Sequence, residues 1–89
     1  MAKYLVEMSH TTRECVWALK TVLDEGPDFL ARFEWGCKDG EHIGWAIVDV
    51  ENKFVAQELV PRILRPKTRI VELRQFTPQE VQALHEAQT

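Results

Sequence analysis

The sequence predicts a single α+β domain built on a four-stranded antiparallel sheet, and three observations carry that expectation. Four segments read as strands, the first two alternating apolar and polar residues and the third apolar on both faces. Two amphipathic segments that begin with helix-capping residues separate them, giving the order β-α-β-β-α-β. A further helix start, "TPQE" at 77–80, follows the last strand.

"KYLVEMS" (3–9) sets Tyr4, Val6 and Met8 on one face and Leu5, Glu7 and Ser9 on the other. "TTRE" (11–14) matches a capping box, Thr with Glu three residues on, so a helix starts there. Its inward stripe is expected to be Cys15, Val16, Leu19, Val22 and Leu23, with Trp17 on the opposite side. Gly26 is placed to end the helix and Pro27 to prevent its continuation. "FLARFEWGC" (29–37) is the expected second strand, Phe29, Ala31, Phe33, Trp35 and Cys37 against Leu30, Arg32 and Glu34. After the turn "KDGE", "HIGWAIVDV" (42–50) is apolar on both faces: Ala46, Val48 and Val50 on one, Ile43, Trp45 and Ile47 on the other. That is the pattern of a central strand covered on both sides. "NKFVAQELV" (52–60) is the second helix, capped by Asn52, with Val55, Ala56, Leu59 and Val60 inward. Pro61 and Pro66 break the chain before the fourth strand, "TRIVELRQF" (68–76). Thr77 as cap, Pro78 at the first helical position and Glu80 at the third then open a helical tail over 77–89. Val81 and Leu84 are its expected apolar contact.

Two split βαβ crossovers arrange such elements as a sheet of order 4-1-3-2 with both helices on one face, the ferredoxin-like plait, here one domain over 1–89. The face away from the helices would carry one side of the third strand together with Leu5, Val71 and Leu73. A small monomer does not leave that much apolar surface wet, so the same face of a second copy is the expected cover: a homodimer, a dimeric α+β barrel. The chain has 89 residues. One of this size buries only about 60–65 % of its unfolded surface, so a dimer or a bound metal would add needed stability.

The net charge of −3 and the scattered Lys and Arg residues give no electrostatic reason for a nucleic-acid partner. The loose cluster Arg62, Arg65, Lys67 and Arg69 reads as a solvated edge leading into a strand. No segment suits a signal peptide or a membrane span, so a cytoplasmic location without membrane contact is expected. In a reducing compartment two cysteines are thiols or ligands rather than a structural disulfide.

In this topology the end of the first strand, the end of the second and the start of the third lie along one sheet edge, and the first helix begins there. His10, Cys37, His42 and Cys15 occupy those four positions. A Cys2His2 donor set suits tetrahedral zinc and is usable by nickel, cobalt or copper. The spacings His-x4-Cys and Cys-x4-His match no zinc-finger pattern, so convergence in space carries the expectation. Two other uses stay open: Cys15 and Cys37 as core fillers with His10 capping a helix start or hydrogen-bonding a loop and His42 exposed on a hairpin, or a reactive Cys15 near a helix start with Cys37 to resolve it. Glu7, Arg32, Glu34 and Trp45 form an alternative, a small-molecule or enzymatic pocket in the barrel interior, where ion pairing is the plainer use. A third alternative is an interaction module presenting Trp17. His85 is expected to face solvent. No phosphate-binding glycine loop, nucleophile elbow or paired metalloprotease histidines occur, so no catalytic residue is assigned.

"AKYLVE" opening the chain, "TRIVELRQF" near its close and the βαββαβ core between them resemble the small dimeric α+β-barrel proteins. Within that superfamily the chain is most similar to short bacterial families without an assigned activity, related at a distance to nickel-binding barrel proteins and to muconolactone-isomerase-type enzymes. The resemblance covers nearly the whole chain as architecture. It implies a homodimer with a metal or ligand pocket associated with the sheet. No isomerase or monooxygenase active site matches residue by residue. For the nickel-binding relatives histidine ligands are implied, and His10 and His42 are the candidates. The cysteines depart from that pattern and leave zinc and nickel both open.

Overall fold

Strand pairing, more than helix packing, positions this chain. The computed structural model describes residues 1–88. In it β1 (Ala2–Ser9) pairs antiparallel with both β3 (Ile43–Val50) and β4 (Thr68–Leu73). A two-residue β2 (Glu34–Trp35) completes the sheet in the order β2-β3-β1-β4, which is 4-1-3-2 read from the other edge. With helical connections from the first strand to the second and from the third to the fourth, and a helix at the end, this is the expected ferredoxin-like plait.

Residues opposite each other in an antiparallel pair share a face, so the register sorts the side chains. Val6 lies opposite Ala46 and Ile70, and Leu5 opposite Ile47 and Val71. Tyr4, Val6, Met8, Ala46, Val48 and Ile70 thus project together and are buried, joined by Ala18, Val22, Ala56, Val60 and Leu64 from the helical segments. The other face carries the row Leu5, Ile47 and Val71, and remains partly open, with Ile47 58 % exposed.

The capping box is present: the Thr11 hydroxyl accepts from the Glu14 N–H, and the Glu14 carboxylate accepts from the Thr11 N–H at 2.9 Å. It opens a short 3₁₀ turn that runs into α1 (Cys15–Asp24). The inward stripe of α1 is narrower than expected. Ala18 and Val22 are buried, Cys15 and Leu19 half-buried, and Val16 and Leu23 point outward. Spacing i, i+3, i+4, i+7 keeps one contact row, Cys15, Ala18, Leu19 and Val22.

The expected strand over 29–37 is the largest departure. Its first residues form α2 (Pro27–Ala31), and only Glu34–Trp35 remains as strand. Pro27 sits at the first helical position with Asp28 in the first turn, a strong helix start that overrides a short alternation of apolar residues. Asn52 caps α3 (Lys53–Glu58) by accepting from the Val55 N–H at 2.9 Å. Beyond Pro61 a 3₁₀ turn buries Leu64 and delivers the chain to β4, which stops at Leu73 rather than 76.

The tail forms α4 (Pro78–Gln88), capped by Thr77 and Glu80 as expected. Val81 and Leu84 do not make the anticipated apolar contact: they are 53 % and 52 % exposed, and α4 buries no side chain. The chain spans 49 × 30 × 21 Å with a radius of gyration of 16.2 Å. A compact chain of this length would have about 12 Å. Among the described residues no helix is long and apolar enough to cross a membrane.

Candidate metal centre

The β1–β3 ladder runs one step past the strands. His10 donates its backbone N–H to the His42 carbonyl at 3.0 Å, immediately beyond the pair Ser9–Ile43. This sets His10 opposite His42 and puts both imidazoles on the helix-covered face with Met8 and Gly44. Their ring centroids are 5.3 Å apart, nearly edge to face. The phase of His42, which an all-apolar strand left undefined, thus follows from backbone pairing.

Cys37 arrives by an unexpected route. Rather than ending a long strand, it opens a 3₁₀ turn, Cys37–Asp39, closed by Gly40 in the left-handed region at φ 85°. Gly36 donates to the Ile43 carbonyl at 3.0 Å, which anchors that turn to the start of β3. The Cys37 Sγ comes to 3.4 Å from His10 Nε2. Cys15, the first residue of α1, faces the same corner. One ligand atom from each of His10, Cys15, Cys37 and His42 lies within 4.8 Å of the others.

Sulfur and nitrogen donors around a tetrahedral zinc at about 2.3 and 2.0–2.1 Å stand roughly 3.3–3.8 Å from one another. The Cys37–His10 separation already has that length, and the other donors lie within 4.8 Å of one another. His10 Nδ1 and His42 Nδ1 are buried without a hydrogen-bond partner among the described residues. Such orphaned buried nitrogens are expensive in a finished core and are what a metal or its supporting shell would use. The group can hold a metal ion.

Burial holds the His10 imidazole below its ordinary range, with His42 adding to the effect, which favours the neutral form that ligates. Burial pushes the Cys37 thiol up, and the adjoining Cys15 thiol pushes it further. The two cysteines are free thiols.

Further residues shape the corner. Trp35 lies opposite Gly44, and a methyl group added to Gly44 would stand 2.6 Å from the indole Cζ3. The missing side chain lets the indole lie across β3, 6.0 Å from the His10 ring and 5.5 Å from Phe33. Glu14, next to Cys15, pairs with Lys67 at 2.8 Å, and the Ser9 hydroxyl donates to the Lys67 carbonyl at 3.2 Å. The Lys67 hydrogen bond, with help from Thr11, holds the Glu14 carboxyl at about 2. Thus the start of α1 is tied to the end of β1. The capping box foretold part of Glu14's role, whereas Lys67, 53 residues away, gave no local signal.

The alternative pocket residues gather on the open sheet face. Arg32, Glu34 and Trp45 line a shallow groove with Leu5, Ala46 and Ile47. Glu7 sits beside it with both oxygens engaged, one accepting from Trp45 Nε1 and the other from Arg69 Nε, each at 3.1 Å. The Trp45 hydrogen bond, then Arg69, holds its carboxyl below the ordinary carboxylate range, so it is a fixed anion rather than a proton donor at neutral pH. Its ion-pair partner is Arg69, not Arg32. In the basic cluster Arg65 pairs with Glu58 and Lys67 with Glu14, so these cations are engaged at the edge rather than gathered into a patch. Trp17 is 38 % exposed on α1, and His85 faces solvent.

The chain matches no protein-family model, no curated protein and no solved structure in the comparisons made with each.

Proposed function

We propose that this protein is a small homodimeric metal-binding domain of the dimeric α+β-barrel type that takes up a divalent transition metal for handling or sensing. His10, Cys15, Cys37 and His42 are the ligands. The carrying observation is the meeting of two thiols and two imidazoles within 4.8 Å, drawn from four separate segments. Zinc is the preferred ion, because a tetrahedral S2N2 set suits it; nickel is the second candidate. With all four protein ligands engaged the centre is closed, which assigns the metal to binding and stability rather than to Lewis-acid chemistry.

The proposed dimer joins the open sheet faces through Leu5, Ile47 and Val71, and its support is the apolar row there. A second reading, a small-molecule pocket at Arg32, Glu34 and Trp45, has the groove on that face in its favour. Its Glu7 neighbour would supply charge, not a proton.

Protein purified without a histidine tag is expected to carry, or take up, one zinc per chain by elemental analysis, and zinc is expected to raise its melting temperature. If neither zinc nor nickel is retained and neither moves the melting temperature, the proposal fails.

A further inference from the structure

Cys15 and Cys37 lie on different elements, are both free, and have their sulfurs within 4.8 Å of each other. A disulfide needs sulfurs about 2.05 Å apart, so closure requires further approach. Cys37 stands at the start of a three-residue 3₁₀ turn and Cys15 at the start of α1, so the approach is one of side-chain rotation at two element ends. Cys37 also lines a surface groove with Leu19, Phe33, Glu34, Trp35 and Lys38. The groove thus opens onto a half-buried Cys37, whose sulfur lies 3.4 Å from His10 Nε2.

From this juxtaposition we propose that Cys15 and Cys37 form a redox pair that a hydroperoxide closes to an intrachain disulfide, ejecting the metal. The Cys37 thiolate attacks one peroxide oxygen, the O–O bond breaks, and the departing oxygen leaves as alcohol or water after taking a proton. Cys37 becomes a sulfenic acid, oxidised by two electrons as the peroxide is reduced. The Cys15 thiolate then attacks the Cys37 sulfur, the S–O bond breaks, and hydroxide leaves as water with the proton from Cys15. The sum is two thiols and one hydroperoxide giving one disulfide, one alcohol or water, and one water. Both sulfur ligands are now in one bond, and two imidazoles do not hold zinc tightly. A dithiol reductant reverses the change by exchange. The ejection half rests on the metal reading above; the dithiol half stands on the two sulfurs alone.

The test is intact-mass spectrometry of reduced, metal-free protein given one equivalent of hydrogen peroxide, followed by zinc titration of the reduced and oxidised forms. The expected product is lighter by two hydrogen atoms and regains them with dithiothreitol. It should bind zinc at least a hundredfold more weakly than the reduced form, and Cys15→Ser should give no such product. Gain of oxygen without loss of hydrogen, a disulfide between chains, or oxidised protein that keeps its zinc affinity would overturn the proposal. Reduced protein that binds no zinc but still closes the disulfide would overturn the metal reading and uphold the redox pair alone.

Discussion

Gly44 offers a metal nothing, yet an added methyl there would stand 2.6 Å from Trp35, whose indole packs beside His10. Gly44→Ala must therefore displace the ring and disturb one ligand's orientation while leaving all four ligands in place. Supporting changes of this kind weaken metal sites by roughly 10–100-fold, and loss of a ligand should exceed that range. Chelator competition is expected to rank wild type above Gly44→Ala, and Gly44→Ala above both Cys37→Ser and His42→Ala. Equal zinc affinity in wild type and His42→Ala would contradict the assigned ligand set. The cluster of His10, Cys15, Cys37 and His42 was legible in the sequence because chain order alone sends two strand ends, a strand start and a helix start to one sheet edge. Even-numbered residues from Tyr4 to Met8 fixed the face of His10. Contact between Trp35 and Gly44 was not legible, since it depends on the exact register of a two-residue strand.

Helix grammar proved more dependable than alternation. Thr11 with Glu14, Asn52 and Thr77 with Glu80 all cap as their spacing implies. By contrast, the alternation from Phe29 to Cys37 gave way to the helix that Pro27 and Asp28 start. Cys37 still reaches its corner, because the tight turn through Gly40 replaces the missing strand. The capping box also makes a stability claim. Thr11→Ala should cost about 1 kcal/mol. In a domain of this size that lowers the melting temperature by about 4–8 °C. Glu14 titrates from about 2 when folded against 4.5 ordinarily, so its contribution is complete above the higher value and is lost as pH falls from there toward the lower. Melting curves between those limits should therefore fall less steeply for Glu14→Gln than for wild type. Parallel curves would show that the tie to Lys67 contributes nothing.

The molecule as a whole is longer than a chain of its size needs to be, and α4 accounts for a helix with no core of its own. Sequence patterning marked the start of α4 but not its placement, because two apolar residues do not specify a partner surface. The open sheet face was legible from the double apolar pattern of the third strand, and its row Leu5, Ile47 and Val71 sits where a second copy would bury it. Sedimentation at micromolar concentration is expected to give twice the 10.4 kDa of one chain. Ile47→Asp, at a position already 58 % exposed, should release monomers that keep their metal. A wild-type monomer would remove the dimer from the account without touching the ligand cluster. The metal centre itself is tested most directly by X-ray absorption at the zinc edge of the loaded protein. Two sulfur scatterers at about 2.3 Å and two imidazole nitrogens at about 2.0–2.1 Å are expected. A shell of nitrogen and oxygen without sulfur would contradict it.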